Sequence, residues 1–304
     1  MGKRIVLFLL TNLAIVLMVS IVMSVLGALG VFRVGGGQLG LLAICFVYGM
    51  VAAFISLQMS RFIAKRAMGV RLVDGRTGNP DLDWLHNTVG NLARQANLPM
   101  PEVGVYESPE VNAFATGPSR KRSLVAVSTG ILRAMDRREL EGVLAHEVSH
   151  VANGDMVTMA LIQGVVNAFV LYLSHVVAGI VRAALSGQRD GDERGGSSIL
   201  GVMAGYAVFF ACQIVFGILG SMVTAWFSRH REFRADAGGA ALAGRESMIG
   251  ALRRLMGTQD AVDTSNPALA SFKISGGRGG FLALLATHPP LEARIAALQE
   301  VDRH

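Results

Sequence analysis

Residues 140–155, "LEGVLAHEVSHVANGD", run directly into residues 156–181, "MVTMALIQGVVNAFVLYLSHVVAGIV". The first stretch carries two histidines and a glutamate at the spacing of a helical metal site. The second holds 26 residues without aspartate, glutamate, lysine or arginine. That is more than the roughly 20 residues needed to cross the hydrocarbon core of a bilayer. The sequence on the two sides of Asp155 therefore predicts a metal site directly followed by a membrane-spanning helix.

The whole chain is too apolar for an ordinary soluble domain. Of its 304 residues, 52% are hydrophobic and only 16% are charged, whereas soluble domains carry about 25% charged residues. Four uncharged runs account for the difference: residues 5–32, 34–60, 156–181 and 197–228. Each is long enough to cross a bilayer as a helix. The sequence predicts an α-helical membrane protein with four transmembrane helices, in contact with the lipid bilayer.

The positive charge of the chain indicates membrane orientation rather than nucleic-acid binding. Much of the net charge of +6 comes from lysines and arginines beside the uncharged runs, as in cytoplasmic orientation signals: Lys3, Arg4, Arg61, Lys65, Arg66, Arg71, Arg229, Arg231 and Arg234. We therefore expect both termini in the cytoplasm and no nucleic-acid partner. The first run is about twice as long as the apolar region of a signal peptide, which favours an uncleaved anchor.

Polar sequence is concentrated in two blocks, residues 61–155 and 229–304. An even number of predicted crossings separates them, so both blocks are expected on the same side of the membrane, where they can fold together. The predicted organisation is two N-terminal transmembrane helices (1–60), a first cytoplasmic part (61–155), a transmembrane hairpin (156–228) and a second cytoplasmic part (229–304).

The polar blocks show the periodicities of a cytoplasmic mixed α/β domain. Helical spacing of apolar residues predicts helices in four stretches: residues 79–99, 231–244, 245–257 and 288–301, the last with proline in its first turn. Three short β-rich stretches predict a small antiparallel sheet: residues 102–108, 111–117 and 123–129. Small and polar residues predict a mobile loop over residues 258–280, a candidate lid for the cleft.

The H-E-x-x-H pattern of His146, Glu147 and His150 lies on a predicted amphipathic helix that Asp136 and Glu139 cap at its start. Residues four apart share one helical face, so both imidazoles can reach a single cation. Glu147 can then address the water on that metal. The pattern predicts a catalytic zinc site with two histidine ligands and Glu147 as the general base.

Two histidines are one ligand short, because a catalytic zinc usually takes three protein ligands. The second polar block begins with Glu232 and Asp236 on one helical face. Glu232 can be the third ligand, and Asp236 can accept a hydrogen bond from the non-coordinating nitrogen of a ligand histidine. The alternative is a surface helix salt-bridged by Arg231 or Arg234. The need for a carboxylate beside the membrane favours Glu232.

Taken together, these motifs resemble the HtpX family of bacterial membrane zinc proteases, which are gluzincins related to the CAAX prenyl proteases. The likeness covers nearly the whole chain, including its four predicted spans. The motifs that carry it are "NAFATGPSR" (112–120), "AHEVSHVANGD" (145–155), "REFRADAGGAALAG" (231–244) and "THPP" (287–290). The resemblance implies a gluzincin-type metalloprotease domain.

The resemblance also implies the site. One zinc ion would be held by His146, His150 and Glu232, and Glu147 would be the catalytic base for hydrolysis of the peptide bond.

The resemblance assigns the substrate-facing edge strand to Asn112, Ala113, Phe114 and Ala115. His288 is a candidate donor to the oxyanion, because related proteases place a histidine there; helix capping is its alternative role. Asn112 is a second candidate donor. Arg294 is expected in a structural salt bridge.

The implied protein is a multi-pass protease of the bacterial inner membrane with its active site in the cytoplasm. It would act in the stress response, in quality control of damaged or misfolded membrane proteins. Membrane-protein or unfolded polypeptide substrates would bind by β-addition to the edge strand, with little dependence on sequence. Two alternatives stay open: a membrane protease of narrower, CAAX-type specificity, and a non-enzymatic metal-binding membrane scaffold.

Overall fold

The computed structural model describes residues 37–186, 199–265 and 284–300. Their helices and strands follow in this order: α1 (Gly37–Met68), β1 (Arg71–Val73), α2 (Pro80–Gln95), β2 (Glu102–Tyr106), β3 (Ala113–Ser119), β4 (Arg122–Ser128), α3 (Thr129–Ala134), α4 (Arg137–Asn153), α5 (Asp155–Ser186), α6 (Ile199–Ala243), α7 (Arg245–Ser265) and α8 (Leu291–Glu300). The chain divides into two compact units, Met1–Ser56 with Ala160–Thr224, and Leu57–Met159 with Ala225–His304.

Three of the described helices are long and apolar enough to cross a membrane: Gly37–Met68, Asp155–Leu185 and Met203–Ala243. They correspond to the second, third and fourth predicted spans. The first predicted span, residues 5–32, lies outside the described residues. Three of the four predicted spans therefore have a matching helix. Within the first unit, a Cβ atom at Gly49 would lie 2.5 Å from the carbonyl oxygen of Gly164. Glycines at this contact let the backbones of α1 and α5 approach closely.

The second unit contains a four-stranded sheet in the order β1-β2-β4-β3. The three predicted strands are present, but the prediction of an antiparallel sheet is wrong: β2 and β4 run parallel, whereas β1–β2 and β3–β4 are antiparallel. The cause is the apolar run of β4, whose residues 124–127 are at most 1% exposed. A strand buried on both faces belongs in the middle of a sheet. The β3–β4 hairpin therefore turns β4 towards β2 and leaves β3 at the free edge.

The helix that carries the H-E-x-x-H pattern is anchored in the core of this unit. Leu140, Leu144 and Val148 of α4 pack with Leu85 and Val89 of α2 and with the apolar side chains of the sheet. Because one face of α4 is fixed in this way, the histidines on its other side are held in defined positions.

The predicted cap at the start of α4 is confirmed. The Asp136 side chain accepts from the backbone N–H of Glu139, and the Glu139 side chain accepts from the backbone N–H of Asp136. Gly154 ends the helix in the left-handed conformation, at φ 72°, which glycine adopts at little cost. The chain then enters α5 at Asp155 without an intervening loop.

The remaining helices differ from the prediction at their boundaries. α6 continues without a break through residue 228 to Ala243, so the predicted helix 231–244 is the end of a transmembrane candidate. α7 extends to Ser265, so the predicted mobile loop is wrong for residues 258–265; residues 266–280 lie outside the described ranges. α8 begins after Pro290, whose carbonyl accepts from Ala293 and Arg294. The prolines thus precede the first turn.

Candidate metal centre

His146 and His150 face each other one helical turn apart on α4. Their Nε2 atoms lie 3.1 Å apart, and both residues are buried, at 7% and 9% exposure. The i, i+4 spacing of an α-helix puts them on one face, as the sequence predicted. Both imidazoles therefore direct the same ring nitrogen towards one point.

Glu232 of α6 reaches the same point from the other half of the unit. Its Oε2 lies 3.5 Å from His146 Nε2, and its Oε1 lies 3.4 Å from His150 Nε2. A close contact between α6 and α4 permits this, since a Cβ atom at Gly239 would lie only 3.1 Å from the backbone nitrogen of His146. One donor atom from each of the three residues lies within 4.8 Å of the others.

The three side chains fit a divalent metal ion. Glu232 is 1% exposed, and among the described residues neither of its carboxylate oxygens has a hydrogen bond of good geometry. Burying an ionised carboxylate is costly, and a cation between the three donors would offset that cost. Two imidazole nitrogens and one carboxylate oxygen are a donor set used by catalytic zinc, with the fourth position left for water.

Asp236 occupies the place that the sequence predicted for it. Its Oδ1 lies 2.9 Å from His146 Nδ1, the nitrogen that faces away from Glu232. Arg294 donates two hydrogen bonds to the Asp236 carboxylate, at 2.6 and 2.7 Å. The expected salt bridge of Arg294 is therefore present, and it holds the carboxylate that orients a candidate ligand.

Comparison with known proteins identifies the family. Residues 81–302 match the model of "Peptidase family M48". The chain belongs to peptidase family M48. It is 47% identical over 308 residues to "Protease HtpX homolog" of Methylacidiphilum infernorum, covering 99% of each chain. It is 51% identical to "Protease HtpX" of Xanthomonas axonopodis pv. citri, covering 98% of each.

A solved structure shows the same fold at much lower identity. The crystal structure of S. mikatae Ste24p matches with a TM-score of 0.56 and 18% identity, covering 92% of this chain and 65% of that chain. The predicted membership of the HtpX proteases is confirmed by the relatives. This M48 peptidase is a membrane metalloendopeptidase, and the alternative of a non-enzymatic scaffold is excluded.

One contact of the candidate site, between Asp155 and His150, was not predicted from the sequence. Asp155 is fully buried, and its Oδ2 lies 2.6 Å from His150 Nδ1. Arg234 donates to its other oxygen at 2.7 Å. The available signal was an isolated aspartate at the very start of an uncharged run. The helical spacing gave no reason to pair it with His150.

The carboxylates around the two histidines favour the protonated form of each ring. Burial opposes protonation of His150, but its contacts with Asp155 and Glu232 outweigh that effect and raise its pKa to about 9. The pKa of His146 is raised despite burial, by Asp236 and Glu232. The site thus attracts positive charge, and a metal ion that binds must displace these protons.

Glu147 and His288 both lie beside the candidate metal ligands. Glu147 is half-buried, and its charge acts on His146, His150 and Arg294. His288 is 64% exposed, with its Nδ1 2.9 Å from Glu232 Oε2. The structure therefore brings the predicted base and the predicted oxyanion donor to the three candidate ligands.

The predicted substrate strand is a free sheet edge beside α4. Ala113, Phe114 and Ala115 belong to β3, and Asn112 directly precedes it. The backbone carbonyl of Asn112 accepts from the N–H of Ser128 at 2.9 Å, and Asn112 itself is exposed.

Proposed function

We propose that this M48 peptidase is a zinc-dependent endopeptidase with His146, His150 and Glu232 as the metal ligands. The observation that carries the proposal is the convergence of two imidazole Nε2 atoms on the carboxylate of Glu232, which is 1% exposed. Burying an ionised carboxylate is costly, and a cation held between the three donors would offset that cost.

The chain supplies the acid–base chemistry. Zinc bound at this site would polarise the scissile carbonyl and lower the pKa of a water molecule. Glu147 follows the first ligand on α4 and remains partly open to solvent, so it can take the proton of the attacking water and return it to the leaving amine. His288 has an exposed ring beside Glu232, and it donates to the developing oxyanion. Asn112 is the second candidate donor.

The free edge of β3 supports an extended polypeptide substrate. Asn112, Ala113, Phe114 and Ala115 lie along the edge that leads past α4, and the backbone groups of Ala113 and Ala115 face outward. Binding by β-addition uses these backbone groups and depends little on side chains. Substrates are therefore unfolded segments of many sequences, as expected for an enzyme that removes damaged or misfolded membrane proteins.

The cellular setting follows from the charge pattern beside the spans. Lysines and arginines cluster next to the polar blocks, which favours both termini and the metal centre on the cytoplasmic side of the bacterial inner membrane. Anchored there, the enzyme cuts exposed loops of membrane proteins without first extracting them.

The decisive experiment compares the purified chain with its Glu147→Gln variant, both loaded with zinc, on an unfolded soluble polypeptide and on a membrane-inserted one. Removing the general base lowers the cleavage rate about 10²- to 10⁴-fold, while zinc binding is retained because Glu147 is not a ligand. Equal cleavage by both proteins would refute the mechanism. Cleavage confined to one narrow substrate class would favour the CAAX-type alternative.

A further inference from the structure

Asp155 repeats around His150 the arrangement that Asp236 makes around His146. In each case a buried carboxylate faces the Nδ1 atom of the histidine, at 2.6 Å for Asp155 and 2.9 Å for Asp236. In each case an arginine donates to the carboxylate: Arg294 to Asp236, and Arg234 to Asp155 at 2.7 Å. The two arginine–aspartate–histidine series converge on Glu232.

The contact between Asp155 and His150 depends on the break between α4 and α5. On an uninterrupted helix, residues five apart point about 140° away from each other. Gly154 adopts φ 72° and ends α4 with its N–H donated to the carbonyls of His150 and Val151. The chain thereby turns, and the first residue of α5 comes back to the last histidine of α4.

We propose that Asp155 is a positioning residue for the metal site, which rests on the proposed zinc function. An ionised aspartate only accepts hydrogen bonds, so the shared hydrogen belongs to His150 Nδ1. When the His150 ring is neutral, its lone pair is therefore on Nε2, the atom that faces His146 and Glu232. Asp155 thus fixes both the tautomer and the ring orientation in which His150 can bind a metal.

Arg234 makes this role separable from a general structural one. An arginine only donates hydrogen bonds. In an Asp155→Asn variant, Arg234 therefore attracts the amide oxygen, and the amide NH2 is left facing His150 Nδ1. A donor at that place moves the ring proton to Nε2, where it blocks metal binding. Removing Arg234 as well frees the amide to rotate, so that its oxygen can accept from His150 again.

The test uses the full chain in detergent, with the zinc dissociation constant measured by competition against a chelator. The proteins are wild type, Asp155→Asn, Arg234→Met and the double variant. We expect Asp155→Asn to weaken zinc binding about 10- to 100-fold, as loss of an outer-shell partner does. The double variant should recover most of that loss. Arg234→Met alone should change affinity less than about fivefold, because its side chain is 59% exposed.

Thermal unfolding of the zinc-free proteins separates the metal effect from misfolding. The matched control is Asp81→Asn, which removes an exposed carboxylate paired with Arg137 at 3.1 Å and should leave zinc affinity unchanged. Wild-type affinity in Asp155→Asn, or a double variant no better than the single one, would overturn the positioning role. A wild-type chain that binds no zinc would instead overturn the proposed function.

Discussion

Glu232 is the residue on which the metal centre depends most. It comes from a helix far along the chain from the two histidines, yet its carboxylate lies 3.4 to 3.5 Å from both Nε2 atoms. Arg294 Nη1 is also 3.4 Å from this carboxylate. This positive neighbour helps the fold to bury an ionised carboxylate, which a nearby opposite charge favours.

A Glu232→Gln substitution should remove high-affinity zinc binding while keeping the shape of the side chain. Loss of an outer-shell partner costs about 10- to 100-fold in metal affinity, so loss of a direct ligand should exceed about 100-fold. Chelator competition on the purified chain measures the change, and Glu292→Gln, at an exposed position, is the control. A variant that holds zinc as tightly as wild type would remove Glu232 from the ligand set.

At the scale of elements, the position of α4 depends on a glycine contact with α7. A Cβ atom at Gly142 would lie 2.5 Å from the backbone carbonyl oxygen of Ser247. A backbone atom cannot rotate away as the end of a side chain can, so any larger residue must push the two helices apart. The helix α4, which carries the two histidines, is thus packed between the sheet on one side and α7 on the other.

Gly142→Ala should therefore destabilise the second unit by about 1–3 kcal/mol, the usual cost of overpacking. Gly257→Ala in α7 is the matched control, because no described residue outside its own helical turn lies within 4 Å of its Cβ position. Alanine there should stabilise the helix by up to about 1 kcal/mol. Thermal unfolding, monitored by circular dichroism, distinguishes the two variants. Equal shifts of the unfolding temperature in the same direction would contradict the close packing of α4 on α7 at Gly142.

The edge strand makes a second prediction at this scale. The carbonyl of Asn112 points to β4, where it accepts from Ser128, so Phe114 also directs its backbone groups to β4. The backbone N–H groups of Ala113 and Ala115 then face the free edge, because alternate residues of a strand point to opposite sides.

Ala115→Pro should remove one outward N–H without breaking the sheet, since proline is tolerated at such edge positions. We expect kcat/KM for an unfolded polypeptide to fall about 2- to 10-fold, the value of one hydrogen bond, with little change in the unfolding temperature. Phe114→Pro is the control, because it removes a ladder bond and should lower the unfolding temperature. Unchanged turnover by Ala115→Pro would argue against β-addition at this edge.

At the scale of the whole molecule, the helix α5 begins beside His150 and is itself a candidate membrane span. Its candidate span covers the 31 residues Asp155–Leu185, a length of about 46 Å at 1.5 Å per residue, longer than the hydrocarbon core. One end of this helix is Asp155 beside His150, so its other end is expected across the membrane.

Accessibility labelling tests that topology. With Cys45 and Cys212 replaced by alanine, single cysteines are placed at Glu107 and at Ala184, both exposed positions. A thiol reagent that cannot cross the inner membrane is added to cells with a permeabilised outer membrane. It should label Ala184→Cys and not Glu107→Cys. Lysis of the cells should make the second position reactive. The reverse pattern would put the metal centre outside the cytoplasm.

The sequence by itself determined the local features of this protein. Helical spacing placed His146 and His150 on one face, the Asp136–Glu139 cap gave the start of α4, and uncharged runs gave the described spans. These features depend on neighbours a few residues apart, so a pattern in the chain is enough to predict them.

Only the tertiary structure decided how distant segments meet. The parallel pairing of β2 with β4 follows from the burial of β4, and the contact of Asp155 with His150 follows from the turn at Gly154. Glu232 and Arg294 reach the histidines because α6 and α8 pack against α4 and α7. Such contacts are set by packing across the whole unit, which no local periodicity encodes.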